Sequence, residues 1–396
     1  MNAIHNTLSH CVKCLVCMKS CPIEAIHFVD NKAVIQEDKC IDCGRCMQIC
    51  AHNGIFSQTS KLEAMQDYQY TIILVPSAIY SQFQTKKEYS KFTASLKQLG
   101  FQEVVDLSYY SAGVMQASVE YLAQYDHGVL ISAHCPVITR LISKKYPTLL
   151  PSIIPINYDS ELAASQLRAQ IIQKTGLSGD QIGIFLLTEC PGKIGLAKYP
   201  LQALEYEVDH AISLQSIMPK IRKAMQTEAA ETADERPYKD GLLHAVKDGV
   251  RRIVHDYAVI NIDGIEKAIE VLELAEFDRL KGIRFLNLSS CYNGCVGGPF
   301  FWTNPFTGRI QLEQFVKEAN PTTIKFEFEE VFKEVKIVDE TDRRTMKEKI
   351  EWFQTIEQIY EKLPGIDCGA CGFPSCHHMA EEIAKGNRQL SDCRIK

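Results

Sequence analysis

Residues 282–300 read GIRFLNLSSCYNGCVGGPF. The first part is a short apolar run, with Ile283, Phe285, Leu286 and Leu288, that stops at Cys291. Runs of this length bounded by turn residues read as strands buried on both faces, the habit of parallel sheets. The second part is a C-x3-C turn, Cys291 and Cys295, with glycines around it. Such a turn brings two thiols together, and Gly297 and Gly298 permit close backbone approach to a bulky cofactor. Four other runs have the same character: TIILVPSA (71–78), EVVDLS (103–108), HGVLISAHC (127–135) and QIGIFLLTEC (181–190). Segments of helical period lie between them, among them KEYSKFTASLKQLG (87–100) and GIEKAIEVLELAEF (264–277). This alternation predicts an α/β core of parallel βαβ units. Open α/β sheets gather ligands at the carboxyl ends of their strands. Cys135, Cys190 and Cys291, each at the end of a run, are therefore expected to converge.

The bulk properties narrow the setting. Hydrophobic residues make up 46% and charged residues 23% of the 396, which is ordinary for a globular protein, so packed cores are expected throughout. The net charge of −6, with no long Lys/Arg block, argues against a nucleic-acid partner. No apolar stretch approaches the roughly 20 residues that span a bilayer. The start, MNAIHNTLSHC, has neither a basic n-region with an apolar core nor a twin-Arg signal, so a cytoplasmic location is expected. There, sixteen cysteines more readily hold metal or do chemistry than form disulfides. The segment KAMQTEAAETADERPYKDG (223–241) reads as a solvated loop, and Lys325 to Lys349 as an exposed strand and helix face.

The cysteines divide the chain: eight in residues 11–50, four in the middle and four in the last 29 residues. The expected domains are 1–62, 63–360 and 361–396. CVKCLVCMKSCP (11–22) and CIDCGRCMQIC (40–50) are two copies of C-x2-C-x2-C-x3-C. Three closely spaced thiolates wrap one [4Fe–4S] cubane and the fourth reaches the other cluster. Cys11, Cys14, Cys17 and Cys50 would hold one cluster, and Cys40, Cys43, Cys46 and Cys21 the second; a pair of zinc sites is the alternative, which rarely uses so dense a triplet. The unit resembles the α+β two-cluster ferredoxins of bacteria, with Ala51 where the pattern often has proline. The last group, Cys368, Cys371, Cys376 and Cys393, has the spacing C-x2-C-x4-C-x16-C. Gly369 and Gly372 would let the backbone approach sulfur, and a helix over 375–385 would present Cys376 from its first turn, with His377 and His378 facing solvent. This stretch resembles the small α-helical iron–sulfur domain of corrinoid iron–sulfur proteins and membrane electron-transport complexes; a zinc knuckle is the alternative.

Set beside SAHCP (132–136) and TECPGK (188–193), CYNGCVGGPF (291–300) resembles the catalytic domain of [FeFe]-hydrogenases. VPSA (75–78), DGIEKAIEVLE (263–273) and NPF (304–306) fit as well, so the resemblance covers roughly residues 65–325. It implies that Cys135, Cys190, Cys291 and Cys295 ligate the cubane of an H-cluster. Cys295 would also bridge to a diiron unit carrying CO, cyanide and a dithiolate bridge, inserted by maturation machinery. Lys193 falls where the family donates a hydrogen bond to one cyanide, and Pro76 and Ser77 where it contacts the other. The residues alone also allow Lys193 to be a surface lysine after a turn and Ser77 to cap a following helix.

The departures are informative. His134 stands where the prototypical enzymes have a proton-passing cysteine, and Thr188 and Ser289 where they have methionines, which makes the cofactor pocket more polar. In VMQASVEYL (114–122), Ser118 and Tyr121 replace two glutamates of the proton route, although an offset alignment retains Glu120. An imidazole, with a reference pKa of about 6.5, can accept and donate protons near neutrality. The alternative is a ring turned away and hydrogen-bonded elsewhere. These losses resemble the divergent, sensory hydrogenases, which also carry the small C-terminal cluster domain, often followed by a signalling module. None follows Lys396, so either a partner takes over signalling or the chain is truncated. The resemblance thus implies a cytoplasmic, anaerobic enzyme that interconverts H2 with protons and electrons slowly. His134, Lys193 and Cys295 would serve catalysis, and a redox or signalling protein would be the partner. The alternative is a non-catalytic hydrogenase-like iron–sulfur protein, for electron transfer or cluster assembly, that keeps the cubane cysteines without the diiron unit.

Overall fold

The computed structural model describes residues 2–7, 9–30, 32–125, 128–199, 206–227, 236–254, 256–322, 331 and 344–395. Where three domains were expected, it comprises two compact units, one of Met1–Gln58 together with Asp339–Lys396 and one of Thr59–Val338.

The first unit begins with β1 (Ile4–Asn6), α1 (Val16–Lys19), β2 (Ile26–Val29), β3 (Lys32–Ile35), α2 (Arg45–Ile49) and β4 (Ile55–Ser57). β1 pairs antiparallel with β4 and β2 with β3. Each cysteine triplet turns through a left-handed residue into a short helix, Leu15 (φ 62°) before α1 and Gly44 (φ 74°) before α2. Lys13 and Leu15 are non-glycine residues held at positive φ, a cost accepted only where surrounding groups fix the loop. Ile4, Met18, Ile26, Phe28, Ala33 and Ile55 form the small core around the thiols.

The second unit is α/β, as the alternating runs predict. β5 (Tyr70–Val75), α3 (Lys86–Gln98), β6 (Glu103–Asp106), α4 (Ser108–Gln124), β7 (Leu130–Ile131), α5 (Pro136–Lys145), α6 (Asp159–Thr175), β8 (Ile182–Thr188), α7 (Pro191–Lys198), β9 (His210–Ser213), α8 (Leu214–Thr227), α9 (Lys239–His244), α10 (Gly249–Ile253), β10 (Val259–Asp263), α11 (Ile265–Glu276), β11 (Phe285–Ser289) and α12 (Pro305–Glu318) follow in order. The strands form two parallel sheets, ordered β6-β5-β8-β9 and β10-β11-β7. All of β8 is buried, which is why its run is apolar without alternation. β9 and β10 were not anticipated, being short and partly polar. The run over 127–135 supplies only the two-residue β7, because Pro136 opens α5 and the chain must leave the strand to reach it. The expected loop over 223–241 is helical through Thr227 and again from Lys239; residues 228–235 lie outside the described residues. So does the strand expected beyond Lys325, whereas its helical part begins at Met346. Among the described residues no helix is long and apolar enough to cross a membrane.

The first unit closes with α13 (Met346–Tyr360) and α14 (Cys376–Ala384). Ile356, Leu363, Phe373, Met379 and Ala380 pack between them. Thr345 and Glu348 form a capping box on α13, and Ser375 caps α14 by accepting from the His378 amide.

Candidate metal centres

Three thiol-lined cavities lie in the first unit. Cys11, Cys14, Cys17 and Cys50 line one, with Phe28 and Ala33. Cys21, Cys40, Cys43 and Cys46 line the second, among Ile4, Ile26 and Ile35. Cys368, Cys371, Cys376 and Cys393 line the third, with Phe373 and Met379. Burial pushes the thiols of Cys17 and Cys40 up to about 11, and those of Cys43 and Cys46 higher still. A buried thiol surrounded by other thiols ionises only when a cation compensates it, so these donors suit an iron–sulfur cluster and bind it with release of protons. His377 is exposed as expected, but His378 is not: it is 1% exposed and sits beside His27 and Phe373.

In the second unit the three strand ends meet. Cys135 and Cys190 occupy the N-cap positions of α5 and α7, each followed by a proline at the first helical position. The dipeptide Cys-Pro thus places each thiol at a strand-to-helix turn. Cys291 follows β11, and Cys295 lies in the short 3-10 turn Gly294–Gly297. Burial drives the Cys291 thiol well above its ordinary range, and Cys190, Cys135 and Cys295 add to the effect, so the four stand close enough to repel as thiolates. Burial likewise holds Cys190 at about 12. The glycines of this turn approach the chain itself. A Cβ on Gly297 would lie 2.1 Å from the Tyr292 carbonyl oxygen, and one on Gly298 2.6 Å from Cγ of Glu189. These contacts are with the chain that walls the site.

Lys193 is not a surface lysine. Its side chain is 15% exposed, and Nζ lies 2.9 Å from Oε1 of Glu189, whose side chain is wholly buried. Burial alone would lower the lysine's pKa, but Glu189, Cys295 and Asp159 together hold it above the usual value, so the ammonium stays charged. Ser77 does not cap with its side chain; its buried Oγ lies 3.1 Å from Oγ of Ser111, which donates to Asp159 at 2.5 Å. Pro76 introduces the same 3-10 helix, Ser77–Gln82, and its carbonyl accepts from the Ile79 amide. Thr188 is fully buried, and its hydroxyl serves the backbone of Cys190, accepting from N at 3.0 Å and donating to O at 3.2 Å. Ser289 ends β11 opposite Asp263.

The His134 ring lies edge-on to His244 with centroids 4.6 Å apart, and its Nδ1 contacts Oγ of Ser132. Burial depresses its pKa well below the usual range, reinforced by His244 and Lys193. The Ser118 hydroxyl donates back to Val114 O at 2.8 Å within α4. Tyr121 stacks on Tyr125, and Glu120 accepts from Gln116 at the surface.

Three family models match the chain. The 4Fe-4S dicluster domain covers residues 3–51, the C-terminal domain of the iron only hydrogenase large subunit covers 69–238, and an Fe-S cluster domain covers 363–395. Among solved structures, HydA(ΔEFG), described for stepwise [FeFe]-hydrogenase H-cluster assembly, superposes with a TM-score of 0.51 at 12% identity, over 64% of this chain and 87% of that one. An [FeFe]-hydrogenase variant from Chlamydomonas reinhardtii gives 0.50 at 13% identity with the same coverage. The chain is a hydrogenase-like iron–sulfur protein with a ferredoxin-like N-terminal domain.

Curated relatives match short segments of this hydrogenase-like protein. One component of an ion-translocating oxidoreductase complex from Rhodobacter capsulatus is 50% identical over 38 residues, 10% of this chain and 20% of that component. A ferredoxin of Streptomyces griseus is 33% identical over 57 residues, 14% of this chain and 54% of its own length. The hydrogenase-like protein thus spans between a fifth and about half of these relatives. Its core site also contains residues that the sequence reading passed over: Glu189, Asp159, Ser111, Ser132 and His244. Only Glu189 carried a local signal, lying four residues before Lys193 at the strand-to-helix turn.

Proposed function

We propose that the hydrogenase-like protein interconverts H2 with protons and electrons at low turnover, in a sensory or regulatory role. The carrying observation is the convergence of four half-buried cysteines with a largely covered, charged lysine whose pKa Cys295 helps to raise. Cys135, Cys190, Cys291 and Cys295 would hold the cubane of an H-cluster, Cys295 also bridging to its diiron unit. Lys193 would hydrogen-bond one cyanide, and Pro76 and Ser77 would contact the other. When bound, the H-cluster supplies the H2 chemistry, and the other cubanes carry single electrons.

The chain's own residues orient, exclude water and move protons. Glu189, itself wholly buried, keeps the Lys193 ammonium charged. His134 is the proton carrier, its Nδ1 side occupied by Ser132 and its ring against His244. A general acid works best with a pKa near the operating pH. Burial disfavours the protonated ring, and the Ser118 hydroxyl already donates to Val114 O, so proton movement is slow. A cytoplasmic, anaerobic setting, dependence on maturation machinery and a redox or signalling protein partner belong to the same proposal. One observation favours the non-catalytic reading: Lys193 already has a counter-ion in Glu189 and needs no cyanide to remain charged.

Infrared spectroscopy of the matured, anaerobic protein separates the two readings. The hydrogenase reading expects CO and cyanide stretches together with about 18 irons per chain, four per cubane and two more. A matured sample without those bands overturns it in favour of the non-catalytic one.

A further inference from the structure

The two cysteine modules of the first unit are more than three hundred residues apart in sequence, yet the four-Cys loop is built onto the ferredoxin-like fold at backbone level. The Phe28 amide of β2 donates to the Gly372 carbonyl at 2.6 Å. Lys19, at the end of α1, donates through Nζ to the carbonyl of Pro374 at 2.6 Å and also to that of Asp367. These carbonyls flank Cys368, Cys371 and Cys376. Two glycines make the fit possible. Gly372 has φ +91°, and a Cβ there would lie 2.3 Å from the Phe28 oxygen; one on Gly369, at φ +78°, would lie 2.9 Å from Cε of both Lys19 and Met18. Both glycines make their closest approaches to α1 and β2. Side chains complete the seam: Ser375 donates to Glu24 at 2.8 Å, Lys39 pairs with Glu381 at 3.0 Å, and His27 stacks on Phe373.

The Phe28–Gly372 backbone bond leads to one of the two ferredoxin-like sites, whereas Lys39 and Glu24 of the seam lie next to Cys40 and three residues after Cys21 of the other. Phe28 lines the cavity of Cys11, Cys14, Cys17 and Cys50, and Met18 directly follows Cys17. Phe28 is not on the wall of the cavity of Cys21, Cys40, Cys43 and Cys46.

We propose that the C-terminal four-Cys site and the site of Cys11, Cys14, Cys17 and Cys50 form a fixed electron-exchange pair, with Lys19 positioning the C-terminal loop and tuning its cluster. This rests on both sites holding cubanes, as the proposed function has them. One electron passes from the reduced cluster to the oxidised one, and no proton need accompany it. One bonded connection runs from Cys371 through the Gly372 carbonyl and the Phe28 amide to the residue whose side chain walls the first site. Lys19 places a positive charge and two donors on the loop that holds the C-terminal cluster. Hydrogen bonding and local charge set the potential of such clusters, and a nearby cation favours the reduced, more negative state.

The test uses the full chain with its clusters reconstituted, followed by redox titration under electron paramagnetic resonance. In the wild type, the reduced C-terminal cluster should show line broadening that appears as the Cys11/Cys14/Cys17/Cys50 cluster is reduced. Lys19→Met should lower the reduction potential of the C-terminal cluster, and Lys19→Arg should restore it. The potential of the Cys21/Cys40/Cys43/Cys46 cluster should stay in place in both variants. A C-terminal cluster that is present but magnetically isolated, with a potential indifferent to Lys19→Met, overturns this inference while leaving the cluster assignment intact. Broadening that instead tracks the Cys21/Cys40/Cys43/Cys46 cluster overturns the pairing. No cubane signal from the C-terminal cysteines overturns the cluster assignment, and the inference with it.

Discussion

Removing Lys193 while leaving Glu189 tests the electrostatics of the core site most directly. The two charges are 2.9 Å apart, with the lysine side chain 15% and the glutamate side chain 0% exposed. At an effective dielectric of about 20 their attraction is about 6 kcal/mol before desolvation is counted. Desolvation offsets much of this, and loss of one partner of such a pair costs about 3–5 kcal/mol because the survivor is a buried, uncompensated charge. We therefore expect Lys193→Met to destabilise the core unit by that amount before the diiron unit is inserted. The double variant Glu189→Leu/Lys193→Met, which leaves no charge behind, should return close to wild type. The chain has two tryptophans, and Trp302 belongs to the core unit, so urea unfolding followed by its fluorescence in a Trp352→Phe background isolates the relevant transition. A loss below about 1 kcal/mol for Lys193→Met is the behaviour of a solvent-screened surface pair, and would refute the buried-pair argument. So would a double variant as unstable as the single one. After maturation, Glu189→Gln should be milder than before it, since the proposed cyanide contact gives Lys193 a second anion; an equal penalty in both states would remove that contact.

The remaining predictions concern the histidines. His134→Ala should lower H2 oxidation further at every pH, whereas His134→Cys should raise it only if the rest of the route is competent; activity of the Ala variant equal to wild type across the pH range would show that His134 carries no protons. His244 is held below its usual pKa by burial, with Asp159 opposing and Lys193 reinforcing, and His134 faces its ring. It stays neutral in the native state while the unfolded chain takes up a proton below about pH 6.5, so stability falls as pH is lowered through that region. The slope is at most about 1.4 kcal/mol per pH unit for this residue. His244→Leu should flatten the decline in urea midpoint between pH 7.5 and pH 5; an unchanged slope would show that the ring is solvated.

Much of the protein was legible in the chain because its signals are local. Cysteine spacing alone grouped Cys11, Cys14 and Cys17 with Cys50, and Cys40, Cys43 and Cys46 with Cys21, and the structure places each set around one cavity. The triplets sit on single loops, so three of four thiols are brought together by bonds along the chain rather than by packing. The α/β core was legible for a related reason: strands such as Ile182–Thr188 are buried on both faces, and an unbroken apolar run records that burial. The ends of those runs at Cys135 and Cys190 were likewise visible, and the structure opens a helix directly after each.

What only the tertiary structure decided is which residues meet when distant segments close on one another. Lys193 suggested a need for an anion, but that Glu189 supplies it depends on Gly298 closing over the carboxylate's stem. Ser77, Ser111 and Asp159 come from three elements and form one string only after the 3-10 helix Ser77–Gln82, α4 and α6 have packed. His378 looked like a solvent-facing residue because helix periodicity does not reveal what lies beyond the helix; β2 covers it, with His27 at its edge. The seam between Lys19, Phe28 and the Gly372 loop is the extreme case. Its hydrogen bonds accept on backbone carbonyls, which every residue has, so no pattern of side chains along the sequence could announce them.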